Sequence, residues 1–375
     1  MAKIVSVEAC TVAVPLEHAT AFSTRSVTTR YYSLVRVRDE NGVEGIGFCY
    51  AGNAGGEVVS QAVRQLVAPI VIGNDSFRVR GIWDDVYAST LLHGRAGAVT
   101  RAQSAVDIAI WDLNARSVGL PLWKYLGASA TETVPAYASG GYYLAGKTAD
   151  DLADEAAGYV ALGFDAVKIK VGAVPPRDDA LRLAAVREAV GPNVKVMLDA
   201  NNAWRDVPTA LNAIRLLEPY EPYWIEEPFG PDDIVSHARL AELTPVTVAT
   251  GEIEAGRWRH LELLQAGGAA ILQTDAAVCG GITEFLRIAA IAEAFGVQMC
   301  PHWFHDLHIH LVAAVSNGQF VEFFADDKVL NFRKLVSDQL VIAGDGRLAL
   351  PERPGLGFTF LPDAVSLYST DGWWS

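Results

Sequence analysis

A strand with an unusual inner face is predicted by the nine residues Phe164-Asp165-Ala166-Val167-Lys168-Ile169-Lys170-Val171-Gly172. Apolar residues alternate with lysines, and a glycine ends the run. Side chains two residues apart lie on the same face of a strand, so Lys168 and Lys170 point the same way. In a pocket of low dielectric constant, each ammonium group disfavours the charged form of the other, and burial acts in the same direction. One lysine is then able to accept a proton; the alternative is a strand end with two solvated lysines.

Strand and helix patterns alternate from residue 130 onward, with a period of about 20–30 residues. Short apolar runs predict strands at residues 134–138, 166–170, 194–199, 223–226, 246–250, 270–274, 297–301 and 320–323. Amphipathic stretches such as 178–190 and 282–295 predict helices between them. Roughly eight such units indicate an α/β fold with a closed barrel of parallel strands. A doubly wound open sheet is the main alternative, but no GxGxxG turn follows the first strand.

The first third of the chain follows a different pattern. Apolar and polar residues alternate at 3–15 and again at 31–38, and a turn and a further strand up to Phe48 follow. This pattern predicts an antiparallel meander. Helical periodicity follows from residue 56 to residue 127, and residues 96–113 are apolar on nearly every side. We therefore expect an α+β domain at 1–128, a barrel at 129–335 and a final segment, 336–375, that packs back on the first domain.

Composition excludes several classes of protein. The chain has 375 residues and a formal net charge of −14, which argues against nucleic acid and anionic membrane surfaces as partners. Its four cysteines show no CxxC spacing, and the N-terminal residues lead into strand-like sequence rather than a signal peptide. No apolar run approaches the roughly 20 residues that span a bilayer. A cytoplasmic protein is the expectation.

Ionisable residues stand at or just past the ends of seven successive barrel strands, where active sites of such barrels assemble. They are Lys168, Lys170, Asp199, Glu226, Glu252, Asp275, His302 and Glu322. Asp199, Glu226 and Glu252 follow three consecutive strands, so three carboxylates are predicted to converge. A hard divalent cation suits such an oxygen shell, and Mg²⁺ fits best because no Cys or His lies among them. The alternative is that each carboxylate caps the helix that follows it.

On the other side of the predicted barrel, Asp275 is placed to orient the imidazole of His302 and to raise its basicity. A single histidine here is otherwise a satisfied core residue. We expect Glu322 to act as an acid that hydrogen-bonds a substrate oxygen. Lys170 and His302 would then stand on opposite faces of a substrate carbon, and Lys168 and the metal would bind the adjacent carboxylate.

Together these residues resemble the mandelate racemase subgroup of the enolase superfamily. The KxK pair, the three carboxylates with their Trp-Ile-Glu-Glu-Pro and Thr-Gly-Glu contexts, the Asp275–His302 pair and Glu322 carry this resemblance, which covers essentially the whole chain. It implies a modified TIM barrel, (β/α)7β, with an N-terminal α+β capping domain completed by the C-terminal tail. It also implies Mg²⁺-assisted removal of the proton α to a carboxylate, with Lys170 and His302 as the two bases, and Asn201 near the substrate. A homo-oligomer, a dimer or an octamer, is a further implication.

The segments around the site look more like those of acid-sugar dehydratases than like mandelate racemase. They are Ala138-Ser139-Gly140-Gly141-Tyr142-Tyr143 and Pro301-His302-Trp303-Phe304-His305-Asp306-Leu307-His308. Residues 18–30 are either an ordinary hairpin loop or a lid whose His18, Arg25 and Arg30 suit a hydroxylated, dianionic substrate. Phe22, Trp303 and Phe304 could equally form an apolar wall. We expect His18, Arg25, Asn201 and Tyr137 to contact the substrate.

Three functions remain open at this point. The first is dehydration of a sugar acid, an aldonate or an aldarate, to a 2-keto-3-deoxy acid. The second is racemisation or epimerisation of a 2-hydroxy acid by the same two bases. The third is a metal-binding barrel without turnover, although binding alone does not require two opposed bases.

Overall fold

The computed structural model describes residues 2–128, 132–326, 328 and 330–373. The expected boundary between residues 128 and 129 adjoins residues 129–131, which lie outside this range. The described strands are β1 Ile4–Phe22, β2 Arg25–Asp39, β3 Glu44–Gly52, β4 Thr133–Ser139, β5 Ala166–Lys170, β6 Lys195–Asp199, β7 Trp224–Glu226, β8 Thr247–Thr250, β9 Ile271–Leu272, β10 Gln298–Met299, β11 Val321–Phe323, β12 Ile342–Gly344 and β13 Arg347–Ala349.

The α-helices of the first domain follow its three strands. They are α1 Glu57–Ala62, α2 Ala68–Val71, α3 Val79–Thr90, α4 Ala98–Ser117 and α5 Leu122–Tyr125, and a π-helical turn, Val63–Val67, joins the first two. The remaining helices are α6 Ala149–Ala161, α7 Pro176–Val190, α8 Val207–Leu217, α9 Ile234–Leu243, α10 Gly256–Gln265, α11 Ala276–Cys279, α12 Ile282–Ala294, α13 His305–Ala314 and α14 Pro362–Tyr368. Short 3₁₀ turns lie at Ser76–Arg78, Glu218–Tyr220 and Phe332–Leu335. In the described residues no helix combines the length and the apolar character needed to cross a bilayer.

The capping domain is an antiparallel sheet, β1-β2-β3, packed on α4. The sheet approaches the helix very closely where two glycines of β3 face Ala105 and Ala109. A Cβ atom on Gly45 would lie 2.2 Å from the carbonyl oxygen of Ala109, and one on Gly47 would lie 1.9 Å from that of Ala105. Any larger residue at either glycine would separate the sheet from the helix.

The barrel consists of the eight predicted strands, β4 to β11, which run parallel to one another and neighbour each other in sequence order. β11 pairs with β4, whereas β10 and β11 are not paired along their length. The segment just before β11 joins them instead. Met299 donates to the Asn317 carbonyl oxygen at 2.8 Å, and its own carbonyl oxygen accepts from Gln319 at 2.9 Å. The prediction of a barrel with a capping domain is confirmed.

The C-terminal segment divides its contacts between the two domains. Its first part, β12 and β13, pairs with the first barrel strand through β13 and β4. Its last part reaches the capping domain, where Leu356 donates to Asp112 at 2.7 Å and Thr370 donates to the Thr11 carbonyl at 2.9 Å. We expect the whole segment from residue 336 to pack on the capping domain, but its first strands pair with the barrel instead. β13 pairs with residues 133–135 of β4, which precede the residues of β4 that pair with β5 and β11.

The segment between the first two strands is also more regular than a long loop. β1 continues to Phe22 and β2 starts at Arg25, so only Ser23 and Thr24 form the turn. The Thr24 hydroxyl donates to the carbonyl oxygen of Asn201 at 3.1 Å, and the Tyr143 N–H donates to the carbonyl oxygen of Ala21 at 3.0 Å. The hairpin tip therefore rests on the loops that follow β6 and β4. It is placed as a lid.

Candidate active site

One layer of buried side chains fills the barrel interior, and the ionisable residues lie directly above it. The layer consists of Tyr137, Ala166, Met197, Trp224, Ala249, Ile271, Cys300 and Phe320. Residues two positions further along a strand point to the same side. Four members of the layer are followed at this spacing by Lys168, Asp199, Glu226 and Glu322, and Cys300 is followed by His302. The strand period thus carries these side chains to one end of the barrel.

Strand register places three of these groups side by side. Lys170 is paired with Asp199 across β5 and β6, and Asp199 with Glu226 across β6 and β7. The Nζ atom of Lys170 contacts the carboxylate of Asp199. Lys168 donates to both oxygens of Glu226, at 2.7 and 2.9 Å, and its Nζ atom lies 2.6 Å from Oε1 of Glu322.

The two lysines remain cationic in this arrangement. Burial alone would lower the pKa of Lys168, but Glu226 and Glu322 raise it well above its ordinary value. Burial would also lower the pKa of Lys170, but Asp199 raises it above its ordinary value. Our expectation of a lysine made neutral by its neighbour is therefore not met here, because adjacent carboxylates outweigh the repulsion between the two ammonium groups.

Negative charge is concentrated around Glu226. Burial, supported by Asp199 and opposed by Lys168, raises the pKa of Glu226 above its ordinary value. Burial and the charge of Glu252 also raise the pKa of the next residue, Glu227. Carboxylates that crowd one another in this way offer the oxygen donors that suit Mg²⁺ or Ca²⁺.

Within the described ranges, however, no group of three or more His, Cys, Asp and Glu side chains is arranged to hold a metal ion. The predicted ligands face other partners. Asp199 and Glu226 contact the two lysines, and Glu252 lies 3.5 Å from Nε2 of His302. Binding of a cation by Asp199, Glu226 and Glu252 therefore requires their carboxylates to turn away from these partners.

His302 and Asp275 form the predicted pair. Nδ1 of His302 lies 3.1 Å from Oδ2 of Asp275, whose other oxygen accepts from the Ala277 N–H at 2.8 Å. Burial would lower the pKa of His302, but Glu252 and the hydrogen bond to Asp275 raise it to about 9. Asp275 caps α11 and is almost fully buried, which fixes the direction in which it holds the imidazole.

Glu322 differs from its expected role. Burial alone would raise its pKa, but Lys168, His302 and Lys170 lower it to about 2. The side chain is therefore an anion and an acceptor, as its 2.6 Å bond from the Trp303 N–H indicates. Our expectation of a proton-donating acid at this position does not hold in this arrangement, because three cationic groups surround the carboxylate.

A cavity lies between these strand ends and the capping domain. The predicted residues that line it are Lys170, Glu252, Asp275, His302, Glu322, Asn201 and Arg25. Lys168, Asp199 and Glu226 are buried at its base rather than in its lining. His18 is exposed on β1 and does not line the cavity. Tyr137 does not line it either, because it belongs to the side-chain layer below the site.

Arg30, considered for the lid, and Phe22 and Trp303, considered for an apolar wall, also line the cavity. The lining residues that the sequence analysis did not single out are Tyr50, Arg101, Tyr142, Glu227, Ile253, Val278, Phe324 and Leu330. A signal for Arg101 exists in the sequence, since a basic residue in a helix that is otherwise apolar on nearly every side needs a partner. Its guanidinium donates to the Tyr50 carbonyl oxygen at 2.8 Å. Glu227 is the second glutamate of the Trp-Ile-Glu-Glu-Pro motif.

Backbone strain is concentrated at the same end of the barrel. Seven described residues other than glycine have positive φ, and five of them closely follow β6, β7 or β10. These five are Asn201, Asn202, Glu227, Trp303 and Phe304. Such conformations cost about 1–3 kcal/mol each and persist only where the surroundings hold them. They mark the turns that orient the site residues.

Family models match most of the chain. Residues 4–127 match the mandelate racemase / muconate lactonizing enzyme N-terminal domain, and residues 151–364 match the enolase C-terminal domain-like family. The 3,6-anhydro-alpha-L-galactonate cycloisomerase of Streptomyces coelicolor is 35% identical over 86% of this chain and 87% of its own. The arabinonate dehydratase of Saccharolobus solfataricus is 34% identical over 81% of each chain.

Solved structures agree with these matches. The structure of L-talarate dehydratase from Polaromonas sp. JS666, complexed with Mg and L-glucarate, superposes with a TM-score of 0.89 at 33% identity. The alignment covers 100% of this chain and 99% of that one. The sequence motifs, the barrel with its capping domain and the family matches lead to one conclusion: the chain belongs to the mandelate racemase subgroup of the enolase superfamily.

Proposed function

We propose that the protein is a Mg²⁺-dependent acid-sugar dehydratase that removes the proton α to a carboxylate and then expels the β-hydroxyl group. The observation that carries this proposal is the placement of Lys170 and His302. They line one cavity from the second and seventh barrel strands, so a substrate carbon between them presents opposite faces to two proton-transfer groups. The relatives include dehydratases and a cycloisomerase, which support this class of reaction.

Asp199, Glu226 and Glu252 are the residues that would hold Mg²⁺. Their oxygen-only donor set and the mutual repulsion around Glu226 fit a divalent cation. When bound, the ion supplies Lewis-acid stabilisation of the negative charge that develops on the substrate carboxylate. Lys168, cationic and buried beside Glu226, adds a fixed positive charge at the same end of the barrel.

The chain's own groups then move the protons. Asp199 and Glu252 are the carboxylates that raise the pKa values of Lys170 and His302, and both would turn away from them to hold the cation. One of the pair, in its neutral form, takes the α proton, and the other delivers a proton to the departing β-hydroxyl, which leaves as water. Asp275 holds the His302 ring at Nδ1 and leaves Nε2 for this transfer. The resulting enol becomes a 2-keto-3-deoxy acid. The strained turns after β6, β7 and β10 keep the acting side chains in place.

Within the two classes of sugar acid, the cavity favours an aldarate over an aldonate. Arg25, Arg30 and Arg101 all contribute to its lining from the capping domain, opposite the barrel strands. Arg30 packs over the rings of Tyr50 and Trp303, with its guanidinium carbon 5.6 and 5.0 Å from the ring centroids. Guanidinium groups that line the cavity from the capping domain suit a second carboxylate on the substrate.

A racemase or epimerase is the second candidate, because the same pair of opposed bases performs that reaction if no β-hydroxyl leaves. The two functions are separated by incubating the protein with Mg²⁺ and individual mono- and diacid sugars in D₂O. Exchange of the α hydrogen, followed by NMR, together with keto acid detected by semicarbazide absorbance, supports dehydration. Exchange with accumulation of the epimer and no keto acid supports racemisation.

The test needs controls for the two bases. Lys170→Met and His302→Asn should each lower turnover by about 10²- to 10⁴-fold, since general acid–base groups contribute that much. The fold should remain intact in both. Absence of α-hydrogen exchange with every acid tested would rule out the enolate reaction, and the non-catalytic barrel would then be the better description.

We further propose that the protein acts in the cytoplasm as a homo-oligomer, a dimer or an octamer. The family resemblance supports the assembly. Light scattering on the purified protein measures its mass directly, and a monomer at micromolar concentration would contradict this part of the proposal.

A further inference from the structure

A second histidine lies behind the His302–Asp275 pair. His308 is on α13 and is fully buried. Its Nδ1 lies 2.8 Å from the carbonyl oxygen of Trp303, and its Nε2 accepts from the Ala276 N–H at 3.0 Å. A carbonyl only accepts and a backbone N–H only donates, so both bonds together require a neutral ring with its proton on Nδ1. Burial lowers the pKa of His308, in agreement with a neutral ring.

Each backbone group that His308 binds is next to one member of the pair. Trp303 follows His302 in sequence, and Ala276 follows Asp275. His308 therefore forms a second bridge between the same two loops that the His302–Asp275 bond joins. A third connection is the backbone bond from the His302 N–H to the Gln273 carbonyl oxygen, at 3.2 Å.

The turn after His302 needs this support. Trp303 has φ 53° and Phe304 has φ 28°, conformations that L-amino acids with large side chains seldom adopt. The N–H of Trp303 donates to Glu322 at 2.6 Å, and its carbonyl accepts from His308. Without the bond from His308, one side of this strained residue is free to relax, and the direction of the His302 ring changes with it.

We infer that His308 is a positioning residue, which holds the turn after β10 and the loop after β9 in the relative orientation that lets Asp275 align the imidazole of His302. The inference rests on the proposed function, because it assumes that His302 transfers a proton. His308 itself reaches neither the cavity nor a reacting atom.

The same helix supplies a matched control. His310 is also fully buried and also joins a backbone N–H to a carbonyl. It accepts from the Trp123 N–H at 3.2 Å through Nδ1, and its Nε2 lies 3.1 Å from the carbonyl oxygen of Leu356. Neither partner adjoins a residue of the site. Replacing His310 therefore reports the cost of losing a buried, doubly bonded histidine without disturbing the His302 turn.

The experiment measures α-hydrogen exchange in D₂O for two acids that are epimers at the α carbon. Lys170→Met and His302→Asn first identify which epimer depends on which base. In His308→Leu, exchange of the His302-dependent epimer should fall at least tenfold, while exchange of the Lys170-dependent epimer changes by less than twofold. His308→Asn keeps an amide that can donate to the Trp303 carbonyl, so its exchange of the His302-dependent epimer should fall less than in His308→Leu. His310→Leu should leave the ratio of the two rates unchanged.

Crystal structures of the same variants provide a readout that does not depend on activity. In His308→Leu we expect the bond between Nδ1 of His302 and Asp275 to be broken, with Trp303 relaxed towards negative φ. An unchanged pair, or an equal loss of exchange for both epimers, would overturn the positioning role. If the unmodified protein exchanges neither epimer, the proposed function fails, and these structures still decide the role of His308. If His308→Leu does not fold, His308→Asn and His308→Gln carry both measurements.

Discussion

Lys168 and Glu226 form a buried, doubly hydrogen-bonded ion pair. The Nζ atom of Lys168 lies 2.7 and 2.9 Å from the two carboxylate oxygens, and the side chains are 1% and 0% exposed. Glu226 is also one of the three proposed ligands for Mg²⁺. The lysine and the cation therefore interact with the same carboxylate. Removing the lysine should change the stabilisation that Mg²⁺ provides.

Replacing Lys168 by methionine tests this relationship. The change removes the ammonium group and leaves Glu226 and Glu322 without their main cationic partner, so unfolding in EDTA should become easier by about 3 kcal/mol. Mg²⁺ should restore more stability to Lys168→Met than it adds to the unmodified protein. Urea unfolding with and without Mg²⁺ measures both effects. Lys195→Met is the control, because Lys195 lies 4.0 Å from Asp165 in a partly exposed pair. Equal stabilisation of Lys168→Met and of the unmodified protein by Mg²⁺ would contradict the prediction.

Removing single carboxylates should identify the metal site. We expect Asp199→Asn, Glu226→Gln and Glu252→Gln each to weaken Mg²⁺ binding by at least about tenfold, because each loses a charged oxygen ligand. Calorimetric titration measures the affinity. Glu254→Gln is a matched control, since Glu254 is two residues from Glu252 but lines a neighbouring cavity and pairs with Arg259 at 3.3 Å. If Glu254→Gln weakened binding as much as Glu252→Gln, the assignment of ligands would be wrong.

The preference for a diacid depends on the arginines of the capping domain. Arg101→Gln should raise KM for an aldarate about tenfold or more relative to an aldonate of the same configuration, since a charge-assisted bond contributes about 1.5–3 kcal/mol. Arg25→Gln should act in the same direction but less strongly, because its side chain is exposed. Steady-state kinetics with paired substrates provides the comparison. Arg95→Gln, in the connection between α3 and α4 and outside this cavity, should change neither KM.

A buried aspartate that does not line the site cavity should make stability depend on pH. Asp107 on α4 accepts from the Thr283 hydroxyl at 2.6 Å and from its N–H at 2.9 Å, and burial raises its pKa to about 7. In the unfolded chain the carboxyl titrates near 4. Between these values the folded state binds more protons, so the contribution of Asp107 to stability falls as pH rises from 4 to 7.

The loss is at most about 4 kcal/mol, at 1.36 kcal/mol for each pH unit. Asp107→Asn removes the titration and keeps an oxygen acceptor for Thr283. The unfolding free energy of the unmodified protein minus that of Asp107→Asn should therefore decrease from pH 4 to pH 7. A difference that is constant over this range would show that Asp107 titrates normally in the folded protein.

Much of this architecture was predictable because it depends on local periodicity. All eight barrel strands lie where short apolar runs occur, and the KxK spacing by itself puts Lys168 and Lys170 on one face. The order of ionisable residues at successive strand ends predicted the cluster, and Lys170, Asp199 and Glu226 are indeed neighbours in register. The cavity wall contributed by the capping domain was less predictable, because Arg101 and Tyr50 are distant from the barrel in sequence.

The strand and helix order, the face on which each ionisable side chain lies and the family of the chain can all be read from the amino-acid sequence. Which of these groups are partners follows from the folded arrangement. It pairs Lys168 with Glu226, makes Glu322 an anion and places Tyr137 below the site and His18 outside it. The reason is physical: side-chain direction follows from a period of two residues, whereas pKa, ion pairing and access to a cavity depend on distances between groups that only folding brings together.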